Sequence, residues 1–154
     1  MASAELDDRG LIVKCPACGR KNRLAYNRLG ETTRCAVCKA EIPAPSAPID
    51  IPSAAAFDTL IARSAVPVIV DYWAPWCAPC SMVAPELQKV ASRGAGRLIV
   101  AKVNTDELSD LGTRFRIMSI PTMAVFDGGC EVARTSGARP AADIEAFVSQ
   151  AVER

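Results

Sequence analysis

Apolar positions in the later part of the chain alternate between a helical and a strand rhythm. Ser53 stands where a helix N-cap is needed ahead of Phe57, Leu60 and Ile61. Val66 to Tyr72 is a nearly continuous apolar run broken only by Asp71, which predicts a buried strand. From Cys77 to Arg93 the residues Met82, Val83, Leu87 and Val90 recur at helical spacing, and Pro85 inside that run predicts a kink. Leu98 to Val103 reads as a second buried strand and Leu108 to Phe115 as a short helix. Thr122 to Phe126 and Glu131 to Thr135 flank Asp127-Gly128-Gly129, which is a hairpin signal. Pro140 to Val152 closes the chain as an amphipathic helix on Ile144, Phe147 and Val148. The order β-α-β-α-β-α-β-β-α predicts an α/β fold, a central mixed sheet with helices on both faces.

Residues 10–42 do not share this rhythm. They are dense in cysteine, glycine and basic side chains, with too little apolar material for a core of their own. Pro43-Ala44-Pro45-Ser46-Ala47-Pro48 then predicts an extended, semi-rigid linker over 43–48. The expected division is a small module (10–42), this linker, and a second domain (49–154). So proline-rich a connection predicts few shared contacts and a second segment that folds without the first.

Composition narrows the chemistry. Half of the 154 residues are hydrophobic, enough for a packed core, and the net charge of +1 gives no general pull towards nucleic acid or membrane. No apolar run approaches the about 18 residues that span a bilayer, and Met1 to Gly10 is too polar for a secretory signal, so a cytoplasmic location is expected. There are seven cysteines and no histidine. Six of the cysteines form C-x-x-C pairs, and an odd count without a signal favours metal and redox chemistry over a disulfide framework.

Cys15-x-x-Cys18 and Cys35-x-x-Cys38, separated by sixteen residues, have the spacing of a structural zinc site. Two residues between ligands let each pair turn both sulfurs towards one tetrahedral ion. Gly19 follows the first pair, where a residue without Cβ eases the turn, and Lys39 holds the same place in the second. One structural Zn(2+) per chain is the expectation, with no tightly bound organic cofactor; local disulfides or unliganded thiols are the alternative. Lys14, Arg20, Lys21, Arg23, Arg28, Arg34 and Lys39 suggest either a nucleic-acid patch or cations offsetting the charge of a metal tetrathiolate. With only Tyr26 available for stacking, the second reading is preferred.

Cys77 and Cys80 lie between a predicted strand and a predicted helix. A thiolate in a helix's first turn is stabilised by the dipole and by free N–H groups. Cys77 would therefore attack a target disulfide, and Cys80, one turn on, would resolve the mixed disulfide. Asp71, in an apolar strand, would be buried, which raises a carboxyl pKa and allows it to accept a proton. A structural ion pair is the plainer reading of Asp71.

Val70-Asp71-Tyr72-Trp73, the Trp76-Cys77-Ala78-Pro79-Cys80 core, Ala84-Pro85, Ala101-Lys102-Val103-Asn104, Ile120-Pro121-Thr122 and Gly137 follow one another as in the thioredoxin family, which residues 49–154 resemble closely. The leading cysteines and Asn22-Arg23-Leu24 resemble its zinc-bearing branch, thioredoxin 2. The resemblance implies a protein-disulfide reductase, working as a monomer on oxidised target proteins and recharged by an NADPH-dependent thioredoxin reductase. It implies that Asp71 assists deprotonation of Cys80, with Lys102 tuning it, and that Pro121 is a cis-proline opposite the dithiol. Trp76, Ile120, Pro121 and Gly137 would meet the target. Ala78 replaces the family's usual glycine, and Ser81 stands where many relatives carry lysine. Cys130 reads as an incidental surface thiol in the hairpin turn. Two other functions compete: an oxidase or isomerase of an oxidising compartment, and a zinc-dependent module binding a partner or nucleic acid with an accessory redox domain.

Overall fold

The computed structural model describes residues 4–152. Its centre is a five-stranded sheet of β6 (Ile49–Asp50), β7 (Val68–Trp73), β8 (Ile99–Asn104), β9 (Thr122–Asp127) and β10 (Cys130–Ser136), in the order β10-β9-β7-β8-β6. β6, β8 and β7 are parallel, whereas β9 runs antiparallel to both β7 and β10, so the sheet is mixed as expected. Helices α1 (Ala54–Arg63), α2 (Ala78–Arg93), α3 (Ser109–Arg114) and α4 (Ala141–Val152) complete the predicted order.

Strand alternation divides the side chains between two cores. Val68, Val70 and Tyr72 join Phe57, Leu60 and Leu111 from α1 and α3. Ile69 joins Val83, Leu87, Ile144 and Val148 from α2 and α4 on the other face. By the same period of two, Asp71 and Trp73 face α2. Ser53 caps α1, accepting a hydrogen bond from the Ala56 N–H (3.1 Å), and α2 runs on through Pro85 to Arg93.

Ahead of this domain, β1 (Glu5–Leu6), β2 (Gly10–Lys14) and β3 (Lys21–Ala25) form an antiparallel sheet, and β4 (Thr33–Arg34) pairs with β5 (Glu41–Ile42). The ordered structure thus begins before Gly10. Asp7 fastens the β1–β2 turn: its Oδ1 accepts from the N–H groups of Arg9 (2.9 Å) and Gly10 (3.0 Å), and Arg23 donates to its Oδ2. That guanidinium bond holds the Asp7 carboxyl down at about 2.

Few shared contacts were expected between the two segments, and the structure differs. Leu11, Val13, Leu24, Tyr26, Leu29 and Ile42 are buried in one continuous cluster with Ile49, Phe57, Leu60 and Val68. The Ala65 N–H donates to the Tyr26 carbonyl (3.0 Å). Gly30 has a positive φ of 97°, and a Cβ there would sit 3.0 Å from the Gly96 carbonyl oxygen. The physical reason is the one visible in the composition: a segment too poor in apolar residues for its own core buries them in its neighbour's. Because Ala65 and Val66 precede β7 and Gly96 precedes β8, this docking is at the end of the sheet where those strands begin. The dithiol follows the other end of β7.

Candidate functional site

α2 begins where β7 has ended, and Cys77 is its N-cap. The Cys80 N–H donates to the Cys77 Sγ (3.2 Å), one of the donors that a helix start leaves free. Cys77 and Cys80 form a disulfide with Cα atoms 5.3 Å apart, and both are almost wholly buried. The Cys77 Sγ lies 3.8 Å from the carbonyl oxygen of Ile120, and the Ile120–Pro121 bond is cis. The Gly137 N–H donates to the Pro121 carbonyl (2.9 Å), which brings the end of β10 beside this loop. Trp76 is 71% exposed, its Nε1–H donating to Asp106 Oδ1 (3.2 Å). With Thr105, Ile117, Met118 and Ile120 it lines an open groove of about 410 Å³ next to the disulfide. Met118, 92% exposed in that groove, gave no signal in the pattern because it belongs to no regular element.

Asp71 lies beneath α2, 1% exposed, with no hydrogen-bond partner for its Oδ1 among the described residues. Burial pushes its carboxyl up to about 7, and the charge of Lys102 opposes that rise only in part. Lys102 is the register partner of Asp71 on β8, yet its Nζ rests 4.5 Å over the Trp73 ring. The four residues Cys77, Cys80, Asp71 and Lys102 thus occupy one end of β7 and β8 and the first turn of α2. Cys130 stands apart, exposed at the start of β10 rather than inside the turn.

The other four cysteines meet in one place. Their Sγ atoms all lie within 4.8 Å of one another, with Cys15 to Cys38 and Cys18 to Cys35 each at 3.6 Å. A tetrahedral ion with metal–sulfur bonds of about 2.3 Å needs sulfurs roughly 3.8 Å apart, so the cluster could hold a metal. The two knuckles repeat one hydrogen-bond pattern. Gly19 N–H donates to Cys15 O (2.9 Å) and Cys15 N–H to Arg20 O (2.8 Å), and Lys39 to Cys35 O (3.1 Å) and Cys35 to Ala40 O (2.9 Å) do the same. The turn demands positive φ at the residue after each pair, 79° at Gly19 and 67° at Lys39. Lysine there is strained, as its side chain suggested.

The backbone N–H groups of Cys38 and Val37 hold the Cys35 thiol down to about 6, whereas burial and the sulfurs of Cys35, Cys38 and Cys15 push the Cys18 thiol up, so without an ion the four thiols do not ionise together. Asn22 ties the knuckles together: its Nδ2–H₂ faces the Cys35 Sγ (3.5 Å) and its Oδ1 accepts from the Ala36 N–H (3.0 Å). No local pattern assigns Asn22 that role, since it joins residues fourteen apart. Lys21, Arg23 and Arg28 pair with Glu5, Asp7 and Glu31, while Lys39 donates to the Ala36 carbonyl.

The Thioredoxin family model matches residues 49–150. This chain belongs to the thioredoxin family. It is 45% identical over 95 residues to Thioredoxin 1 of Chlorobaculum tepidum, covering 62% of this chain and 94% of that one. Thioredoxin C-3 of Corynebacterium nephridii is 33% identical over 144 residues, 94% of this chain and 97% of its own, a span that extends into the four-cysteine segment. A mutant thioredoxin from Halobacterium salinarum NRC-1 superposes with a TM-score of 0.65 at 23% identity, covering 72% of this chain and 96% of that one, a likeness of fold. With Cys77 and Cys80 paired at the head of α2, the thioredoxin domain is a disulfide oxidoreductase working by dithiol–disulfide exchange. No helix among the described residues is long and apolar enough to cross a membrane.

Proposed function

We propose that the chain is a cytoplasmic, monomeric protein-disulfide reductase in which Cys77 attacks and Cys80 resolves. The observation that carries the reading is the place of Cys77: helix N-cap, hydrogen-bonded by the Cys80 N–H, beside the Ile120 carbonyl and the exposed Trp76. In the reduced protein that N–H and the helix dipole favour the Cys77 thiolate. It attacks one sulfur of a target disulfide; the target's other sulfur leaves as a thiolate. Cys80 then gives its proton to Asp71 and attacks the Cys77 sulfur. The Cys77–Cys80 bond forms, the bond to the target breaks, and the second target sulfur leaves and is protonated. The target gains two electrons and the dithiol loses two.

Trp76 and Ile120 line the groove that would receive the target, and Pro121, with Gly137 hydrogen-bonded to its carbonyl, follows Ile120 and is assigned to target contact as well. The backbone before Pro121 offers the target strand-like hydrogen bonds. Lys102 moderates the charge on Asp71. Regeneration is assigned to an NADPH-dependent thioredoxin reductase. A protein of Mycobacterium leprae named bifunctional thioredoxin reductase/thioredoxin, 45% identical over 85 residues, supports that pairing; this chain spans 19% of its length.

The metal is assigned as Zn(2+), held by Cys15, Cys18, Cys35 and Cys38, since four thiolates without histidine suit a closed structural site. When bound, it supplies folding energy and no reactive position. We place the domain boundaries at 10–42, 43–48 and 49–154, with β1 an outlying strand of the first. Insulin reduction with thioredoxin reductase and NADPH tests the function. Turnover is expected, lost in Cys77→Ser; a chain inert towards insulin but tightly bound to a partner would favour the binding-module reading instead.

A further inference from the structure

Lys102 has two acidic neighbours. In the sheet order β7-β8-β6 it is the register partner of Asp71 on one side and of Asp50 on the other. Ile49 is buried in the opposite core, so Asp50 shares the α2 face with Lys102 and Asp71. Asp50, Lys102, Pro48, Ala84, Leu87 and Gln88 line a cleft of about 190 Å³ open to solvent between β6 and α2. Lys102 makes no ion pair within 4.0 Å among the described residues; its ammonium rests 4.5 Å over the Trp73 ring, between its register partners Asp71 and Asp50 on the two flanking strands.

We propose that Asp50 is a positioning residue for the resolving step: it competes with Asp71 for Lys102 and so keeps Asp71 basic enough to take the Cys80 proton. The inference rests on Asp71 being the base of that step. While Asp71 is neutral, Lys102 is free to turn to Asp50 at the mouth of the cleft. When Asp71 takes on negative charge, that alternative weakens the support Lys102 gives it. The groups facing Asp71 are few: Lys102 from β8, Asp50 from β6 through Lys102, and Cys80 from α2. Its β9 partner is the uncharged Met123, and Val83 and Leu87 of α2 are apolar.

Asp50 is two strand spacings from Asp71, about 10 Å, so removing its charge should lower the Asp71 midpoint by about half a pH unit. The test follows the Asp71 side-chain carboxyl by NMR through a pH titration of the oxidised full chain. Wild type, Asp50→Asn and Asp50→Glu are compared, with Asp71→Asn identifying the signal. Resolution is timed in parallel by release of the second thionitrobenzoate from dithiobis-nitrobenzoate, in a Cys130→Ser background. The expected result is a lower midpoint in Asp50→Asn, an equal shift in the pH dependence of resolution, and return of both towards wild type in Asp50→Glu. An unmoved or raised midpoint in Asp50→Asn overturns the proposal while leaving Asp71 as base. A resolution rate indifferent to Asp71→Asn overturns the base reading itself, and this proposal with it.

Discussion

The chain carries one motif, C-x-x-C, in two different settings: two knuckles whose four sulfurs could hold a metal, and a pair that bonds to itself at the head of α2. At Cys15/Cys18 and Cys35/Cys38 the chain turns back after the second cysteine through a positive-φ residue, Gly19 or Lys39. Each pair is thereby left facing the other pair, with sulfurs 3.6 Å apart across the two knuckles. At Cys77/Cys80 no such turn follows. Pro79 sits in the first turn of α2, where its missing N–H costs nothing, and the chain continues as helix to Arg93. One pair then has only itself to bond, and its first sulfur sits at the helix N-terminus. The backbone after the motif thus separates a cluster that could hold a metal from a pair that bonds to itself.

The largest expected effect is on the dithiol: Cys77→Ser should bring insulin reduction to background, and Cys80→Ser should accumulate mixed disulfides with targets. Residual turnover in Cys77→Ser would reverse the assigned order of attack. The contrast between the regions is weaker in packing, where they share one core. Tyr26→Ala should cost about 3–5 kcal/mol, and urea unfolding followed by tryptophan fluorescence should show the loss in the thioredoxin domain, in one transition. Two separated transitions would make the segments independent.

Asp71 gives a pH-dependent effect of about 4 kcal/mol. Its folded carboxyl lies near 7 against 3.8 for an aspartate free in water, so between those values the folded protein holds the extra proton. Stability therefore falls as pH rises from about 4 to about 7 and stays lowered above that. Asp71→Asn removes the loss: stability measured by urea unfolding should be unchanged near the acid end and higher than wild type by that amount above neutrality. The smallest change is Lys39→Gly, which should stabilise the metal-loaded chain by about 1 kcal/mol by relieving the positive-φ strain; a destabilisation would show that the lysine contact with the Ala36 carbonyl outweighs it.

Local patterns were legible in the sequence wherever a feature depends on neighbours in the chain. Ser53 capping α1, the apolar run of β7, the Asp127-Gly128-Gly129 hairpin and both cysteine spacings each declare themselves within a few residues. Asp71 could be named from its place in an apolar run and Lys102 from resemblance, but their shared face under α2 follows from strand parity only once β7 and β8 are in register. What escaped was long-range. Leu11, Val13, Leu24 and Tyr26 look too sparse for a core because half of that core is Phe57, Leu60 and Val68, dozens of residues away. The strand Glu5–Leu6 is only two residues long and is held by the turn at Asp7, with no periodicity to reveal it. Asp50 was invisible as a neighbour of Lys102 because β6 pairs with β8 across the whole of α1, β7 and α2.

The division of labour between the cysteine pairs is tested most directly by a redox titration. The metal-loaded chain is equilibrated in glutathione buffers of graded potential, alkylated, and mapped by mass spectrometry, with bound metal counted in the same samples. The expected result is a single intramolecular disulfide, Cys77–Cys80, formed in one two-electron step while the metal count stays at one and Cys15, Cys18, Cys35 and Cys38 remain thiolates. Disulfides among those four at the same potential, with loss of the metal, or a Cys77–Cys80 pair that stays reduced across the range, would contradict it.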